Sequence, residues 1–295
     1  MDPAHSDGVG AHRMPVATMA WITDPHFDHA KLETWREWAD EVIGHHPTAL
    51  VLTGDISEGD DVSYQLRCMA ETFDRPIYFV LGNHDFYGKS IGGTRRQIID
   101  LARDVPQLHY LTDCGPVMLA KDAALIGDDG WGDATQGDYE NTTVRSNDFE
   151  LIDDFRTSSR DTWREILQRE GRQSGERLSS KLASLPKSVR HVLIATHVPP
   201  FRESCWYEGK TTDENWAPFF VCGGVAEALR VAAEANPDRI HTVLCGHTHH
   251  DGDAEILPNL IVHTGYSRYG TLDIESLIEL SGDGFFVPRV VEAME

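Results

Sequence analysis

The sequence is poor in positive charge: 26 Lys+Arg stand against 48 Asp+Glu, a formal net charge of −22. That balance argues against nucleic acid and against an anionic membrane surface as partners, because both repel an acidic protein. Long apolar runs are missing as well. None approaches the roughly 18 residues that a bilayer span requires, so no membrane role is expected. The five cysteines (Cys68, Cys114, Cys205, Cys222 and Cys245) form no CxxC pair and no regular framework. Their scatter disfavours a disulfide scaffold and fits a reduced, cytoplasmic chain. Residues 1–15 are rich in Gly, Ala, His and Asp without an apolar core; they read as a disordered tail, not a signal peptide.

What remains suits one soluble domain over residues 16–295 with a substantial core, since 40% of the 295 residues are hydrophobic and 25% charged. Apolar runs at 16–23, 48–53 and 76–81 read as strands. Between them, 31–44 and 60–73 carry apolar residues at helical spacing. The alternation predicts βαβ units and a mainly parallel sheet, an α/β fold. A further helix is expected over 94–103. From 128 to 185 a polar loop precedes a charged helical stretch (148–185) divided by Gly171 and Gly175, which reads as an insertion or cap over one side of the sheet, or as a solvated helical pair. A strand is expected at 190–196, a loop at 198–216, a helix at 217–235 and a strand at 240–245. Segments 254–257, 260–264, 277–280 and 285–291 read as strands in hairpin-like pairs, with a turn at 281–284.

Five apolar runs end in metal-binding side chains. Trp21-Ile22-Thr23 leads to Asp24 and His26, and Leu50-Val51-Leu52-Thr53-Gly54 to Asp55. Val80-Leu81-Gly82 leads to Asn83, His84 and Asp85, Val192 to Thr196 leads to His197, and Val243-Leu244-Cys245-Gly246 to His247 and His249. Open α/β sheets place ligands at such carboxyl ends. Asp24 with His26, and His247 with His249, are two residues apart, so on extended chain each pair shares one face. Oxygen and imidazole donors without thiolate suit Mn²⁺, Fe or Zn²⁺ and not a Cys-based structural zinc site. The donors are more than one ion needs, and two ions sharing a carboxylate can hold a hydroxide and clamp a phosphoryl group. The chemistry indicated is metal-assisted phosphoester hydrolysis.

In their order along the chain, Asp24-x-His26, Gly54-Asp55, Gly82-Asn83-His84-Asp85, His197 and Gly246-His247-x-His249 resemble the calcineurin-like metallophosphoesterase superfamily over residues 16–265. The resemblance implies a four-layer α/β/β/α sandwich, here with a helical insertion, and two divalent ions, Mn²⁺ first, with Fe, Zn²⁺, Ni²⁺ and Mg²⁺ as alternatives. It assigns Asp24, His26 and His249 to one ion and Asn83, His197 and His247 to the other, with Asp55 bridging. It also implies that His84 is not a ligand but stabilises the transition state or protonates the leaving oxygen, with Asp85 as its orienting partner. After Gly54-Asp55 the chain reads Ile56-Ser57-Glu58-Gly59 and lacks the Val-Asp-Arg-Gly of protein Ser/Thr phosphatases. The expected activity is therefore that of a phosphatase or phosphodiesterase on a small phosphoester, with a metal-bridging hydroxide as nucleophile.

For the substrate, Asn83 and His84 are expected at the phosphoryl group. The loop 198–216 adds Phe201, Arg202, Trp206, Tyr207, Lys210 and Trp216. Aromatic faces and cations there can hold an aryl group or nucleobase and phosphate oxygens, or simply pack the loop; Arg202, Trp206 and Tyr207 are the expected contacts. Tyr266, Arg268, Tyr269, Trp131 and Asp133 are candidates for the rim. His29 and His250 adjoin ligands and read either as groups that orient them or as surface residues. Two rivals stand beside this reading: a nuclease, opposed by the acidic charge, and a metal-bound scaffold without catalysis, opposed by His84 beside an intact donor set. Oligomeric state stays open.

Overall fold

A computed structural model of the chain describes residues 17–156, 159–281 and 284–288. The expected tail at 1–15, Gly282 and Asp283 of the expected turn, and the end of the expected last strand lie outside the described residues. The first half of the chain alternates as the spacing predicts: β1 (Ala17–Ile22), α1 (Leu32–Gly44), β2 (Ala49–Thr53), α2 (Asp61–Thr72), β3 (Ile77–Val80), α3 (Ile91–Asp104) and β4 (Leu108–Tyr110). The second half runs β5 (Val117–Met118), β6 (Ala123–Gly127), α4 (Asp148–Leu151), α5 (Asp153–Arg156), α6 (Arg160–Ser184) and β7 (His191–Ala195). It continues through β8 (Trp206–Tyr207), β9 (Lys210–Thr211), α7 (Ala217–Phe220), α8 (Gly223–Ala235), β10 (Ile240–Cys245), β11 (Gly252–Leu257), β12 (Leu260–Thr264), β13 (Ser276–Ser281) and β14 (Gly284–Phe286).

Two sheets result, ordered β14-β13-β1-β2-β3-β4 and β11-β12-β10-β7-β6-β5. Their central strands pair in parallel, and antiparallel strands close both edges of the second sheet and one edge of the first. The strands read as continuous apolar runs because both of their faces are covered. Alternate side chains of one strand serve different cores: Met19 and Trp21 meet Leu193, Ala195 and Leu244 between the sheets, whereas Ala20 and Ile22 pack under α1 and α2 with Trp38 and Leu66. On the far side, Leu178 and Leu182 of α6 and Val225 and Leu229 of α8 cover Ile126, Val192 and Ile194. The layers are thus α/β/β/α. Among the described residues no helix is long and apolar enough to cross a membrane.

Two helical expectations are corrected. The stretch 148–185 breaks before Arg160, where the Ser159 hydroxyl accepts the Thr162 N–H, and then runs unbroken through Gly171 and Gly175. Those glycines do not interrupt the helix; they let it approach its neighbours, since a Cβ at Gly171 would overlap Asp133 and one at Gly175 the backbone of Gly224. The half of this segment that forms α6 therefore serves as one of the four layers. The expected helix 217–235 is divided between α7 and α8, where the Cys222 N–H turns to the Pro199 carbonyl (3.0 Å) and the Gly224 N–H to Asp133 Oδ2 (2.8 Å).

Candidate metal centre

The strand ends β1, β2, β3, β7 and β10 converge where the two sheets meet. There the backbone leaves its preferred conformations: Asp24, His26, Asp55, His247 and His249 all have positive φ, between 42° and 71°. Side chains with a Cβ pay about 1–3 kcal/mol for such a conformation, so it persists only where the surroundings fix it. Glycines make the convergence possible. A Cβ on Gly82 would overlap the Asp55 carboxylate, and one on Gly246 the Asp24 carboxylate.

The donors fall into two groups that share Asp55. Asp24, His26, Asp55 and His249 form one, and Asp55, His197 and His247 the other, with the donor atoms of each group within 4.8 Å of one another. Each oxygen of Asp55 faces one group: Oδ2 lies 3.6 Å from His26 Nε2 and Oδ1 3.5 Å from His197 Nε2. In the first group His249 Nε2 lies 3.2 Å from His26 Nε2 and 3.6 Å from Asp24 Oδ1.

The second group shows what the site is built to hold. His197 Nδ1 donates to the Thr53 carbonyl at 2.9 Å and His247 Nε2 to the Phe219 carbonyl at 3.3 Å, so each ring turns its lone-pair nitrogen inward. Those nitrogens lie 3.1 Å apart, and Asn83 Oδ1 lies 3.1 Å from His197 Nε2. The Asn83 amide cannot relieve this convergence of acceptors, because its Nδ2 donates to Asp148 Oδ1 at 2.9 Å. Tyr87 holds the same Asp148 oxygen at 2.8 Å. Acceptors facing one another without a proton between them are tolerable around a cation.

Titration of the groups agrees. Burial pushes the imidazoles of His26 and His247 down to about 3, the neutral form that binds metal. Burial also raises Asp24, helped by Asp55 and opposed by His197 and His249. Asp55 resists its own burial: the imidazoles of His197, His84, His26 and His247 hold it below the usual carboxylate range. Two carboxylates buried this closely together make a site that divalent cations would stabilise.

The sequence profile of the calcineurin-like phosphoesterase family matches residues 17–251. The chain belongs to that family. A search of curated proteins returns no match. Among solved structures, this phosphoesterase is similar to the phosphopantetheinyl hydrolase PptH of Mycobacterium tuberculosis (14% identity, 85% of this chain and 89% of that one, TM-score 0.59). It is also similar to a dimetal phosphatase of Danio rerio (15% identity, 91% and 94%, TM-score 0.57). At these identities the likeness concerns the fold. Family membership together with the Asp/His clusters supports a divalent dimetal centre and metal-dependent phosphoester hydrolysis.

Within this phosphoesterase, His84 stands beside the donor groups without joining either. Its backbone N–H donates to Asp55 Oδ1 at 2.9 Å, and its ring lies edge-on to His26 and against Tyr87. Burial would lower its pKa, but the carboxylates of Asp55, Asp148, Glu58 and Asp24 together raise it. Asp85 is not its orienting partner. Asp85 accepts the N–H groups of Ile56 and Ser57 on Oδ1 (2.9 and 3.0 Å) and of Gly82 on Oδ2 (2.8 Å), tying the loop after β2 to the loop after β3. The carboxylate that faces His84 is Glu58, 3.5 Å from Nδ1.

A cavity of about 810 Å³ opens over the donors, and Trp206 and Tyr207 line it as expected. Arg202 does not line it: its guanidinium pairs with Glu214 at 2.5 Å and reaches the Thr212 carbonyl. Tyr269 lines the cavity with its ring centred 4.5 Å from that of His26, and His250 lines it against Tyr207, while Tyr266, Arg268, Trp131 and Asp133 stay off the lining. Asp148, Tyr87, Glu58 and Phe220 were not foreseen as site residues. Glu58, three residues after Asp55, and Tyr87, four after Asn83, lay near enough to a ligand in sequence to have been found.

Proposed function

We propose that this phosphoesterase hydrolyses a small phosphomonoester or phosphodiester, with Asp24, His26 and His249 holding one divalent ion, Asn83, His197 and His247 the other, and Asp55 shared. The observation that carries the reading is the face-to-face lone pairs of His197 and His247 beside Asn83 Oδ1, next to a carboxylate with one oxygen toward each group. When bound, such an ion pair supplies a nucleophilic water of lowered pKa and charge to stabilise the phosphoryl oxygens. The chain's own groups do the rest. The Thr53 and Phe219 carbonyls fix the imidazole tautomers, and Asp148 turns the Asn83 amide so that its oxygen faces inward. His84, with Nδ1 toward Glu58 and its residue on the cavity lining, serves as the proton donor to the leaving oxygen.

The test is metal-stripped protein reconstituted with Mn²⁺ and assayed on an aryl phosphomonoester and the matching bis-aryl phosphodiester, with metal content measured alongside. The expected result is two ions per chain and turnover of at least one ester. Asp55→Asn is expected to lose metal from both groups and more than roughly 10³-fold in kcat/KM, since loss of a single oxyanion donor already costs about 10²–10³. Two filled sites in Asp55→Asn would remove the shared role. Two filled sites in the native protein with no turnover of either ester would count against the small-phosphoester reading.

A further inference from the structure

The cavity over the donors is chemically divided. Its floor carries Asp55, Asn83, His84, His247 and His249, and beyond them the rings of Trp206, Tyr207, Trp216 and Phe220 share the lining with polar loop residues. The rings begin at the imidazoles and lead outward: Phe220 is centred 4.4 Å from His247, and Trp216 5.4 Å from Phe220. Trp216 leaves 48% of its surface open and lines the cavity, so its ring face is available to a group that enters. It is also held ready. Asp213 Oδ1 accepts the N–H groups of Asn215 and Trp216 at 2.9 and 3.0 Å, fixing the turn that carries the ring before any ligand arrives.

Charge selects among ligands. Among the described residues Lys210 is the one Lys or Arg on the cavity lining, and Glu208 and Asp213 line it too. A leaving group that carried further phosphates, or a polynucleotide, would bring its charge among carboxylates with a single ammonium to offset it. An uncharged planar ring meets none of that cost, and any π-face can stack on the wall. The volume of about 810 Å³ accommodates such a group beyond the phosphoryl position.

We infer that the ester group of the substrate is an uncharged, planar aromatic ring, and that Trp216 and Phe220 form the subsite that stacks it; this rests on phosphoester hydrolysis at the floor. The test uses non-hydrolysable heads that differ only in the attached group: methylphosphonate, cyclohexylmethylphosphonate and benzylphosphonate, titrated calorimetrically into the Mn²⁺-reconstituted protein. Benzylphosphonate is expected to bind at least roughly tenfold more tightly than methylphosphonate, with the cyclohexyl compound between them. In Trp216→Ala the benzyl-to-methyl ratio is expected to fall toward one, and in Trp216→Phe most of it should return. Equal binding of all three, a cyclohexyl compound as tight as the benzyl one, or a ratio that survives Trp216→Ala would overturn the subsite alone. No binding by any of the three, with the metals in place, would overturn the phosphoester reading and the subsite together.

Discussion

The donors on the cavity floor hang from the ends of strands buried on both faces, whereas the aromatic wall hangs from a loop whose regular pieces are all short: a 3-10 turn at Arg202–Ser204, the two-residue strands β8 and β9 and the four-residue α7. Five donor residues (Asp24, His26, Asp55, His247 and His249) adopt positive φ; elsewhere among the described non-glycine residues only His46, Ala134 and the cavity-lining Glu208 do. The sheet supplies the rigidity that holds this strain, so the convergence of donors does not depend on local preference. The wall is fixed otherwise. Its turn is tied by Asp213 to backbone N–H groups, and large rings remain half-open to the cavity. Rigid strand ends suit chemistry that needs fixed distances, and a loop suits selection among ester groups, because it can change without disturbing the core.

If that division holds, a substitution on the floor lowers turnover of every ester, and one on the wall changes the binding preference between ester groups. The largest effect within reach of a single side chain that is not a donor is His84→Ala. Its kcat/KM is expected to fall by roughly 10²–10⁴-fold on alkyl esters and by less on aryl esters, whose more acidic leaving groups need less help from a general acid. Metal content should stay unchanged, read by elemental analysis of the same sample. Loss of metal in parallel with activity would place His84 among the ligands. A smaller effect is expected from Asp148→Ala, which frees the Asn83 amide to rotate and leaves Tyr87 without its partner. Groups that orient a ligand typically account for about 10–100-fold in affinity or activity. The loss should appear as weaker binding of one ion of the two; equal weakening of both would mean that Asp148 acts through Asp55 and not through Asn83.

The floor was legible in the sequence, and so were Trp206, Tyr207 and Trp216 of the wall; Phe220 and the groups that orient the donors were not, for physical reasons. A strand buried on both faces must be an unbroken apolar run, so a run that stops at Asp, His or Asn announces both the element and the place where its side chains emerge. Asp24, His26, Asp55, Asn83, His197, His247 and His249 could be gathered that way, and the structure brings them together. Asp148 opens a charged helical stretch far along the chain from Asn83, and only the folded chain puts the two together. Asp85 shows the opposite failure. Its place next to His84 in sequence suggested a partnership, but its oxygens go to backbone N–H groups that would otherwise be buried unpaired. Gly171 and Gly175 looked like breaks because glycine favours them, yet inside a long helix their missing side chains make room for Asp133 and Gly224.

The smallest expected effect belongs to Arg202, the one guanidinium of the loop at 198–216 and, from sequence, a natural phosphate contact. In the structure it is paired with Glu214, and both side chains are partly open to solvent, at 34% and 65%. An exposed pair of this kind contributes about 0–1 kcal/mol, and Arg202 stands off the cavity lining. Arg202→Ala is therefore expected to change kcat/KM by less than about threefold and stability by less than about 1 kcal/mol, read by steady-state kinetics and denaturant titration. Its selectivity between benzyl and methyl compounds should match that of the native protein, in contrast to Trp216→Ala. A tenfold or larger loss confined to KM would mean that the guanidinium leaves Glu214 for the phosphoryl group. A second cation would then stand beside Lys210, and a wall with that charge would accept anionic ester groups that the single lysine disfavours.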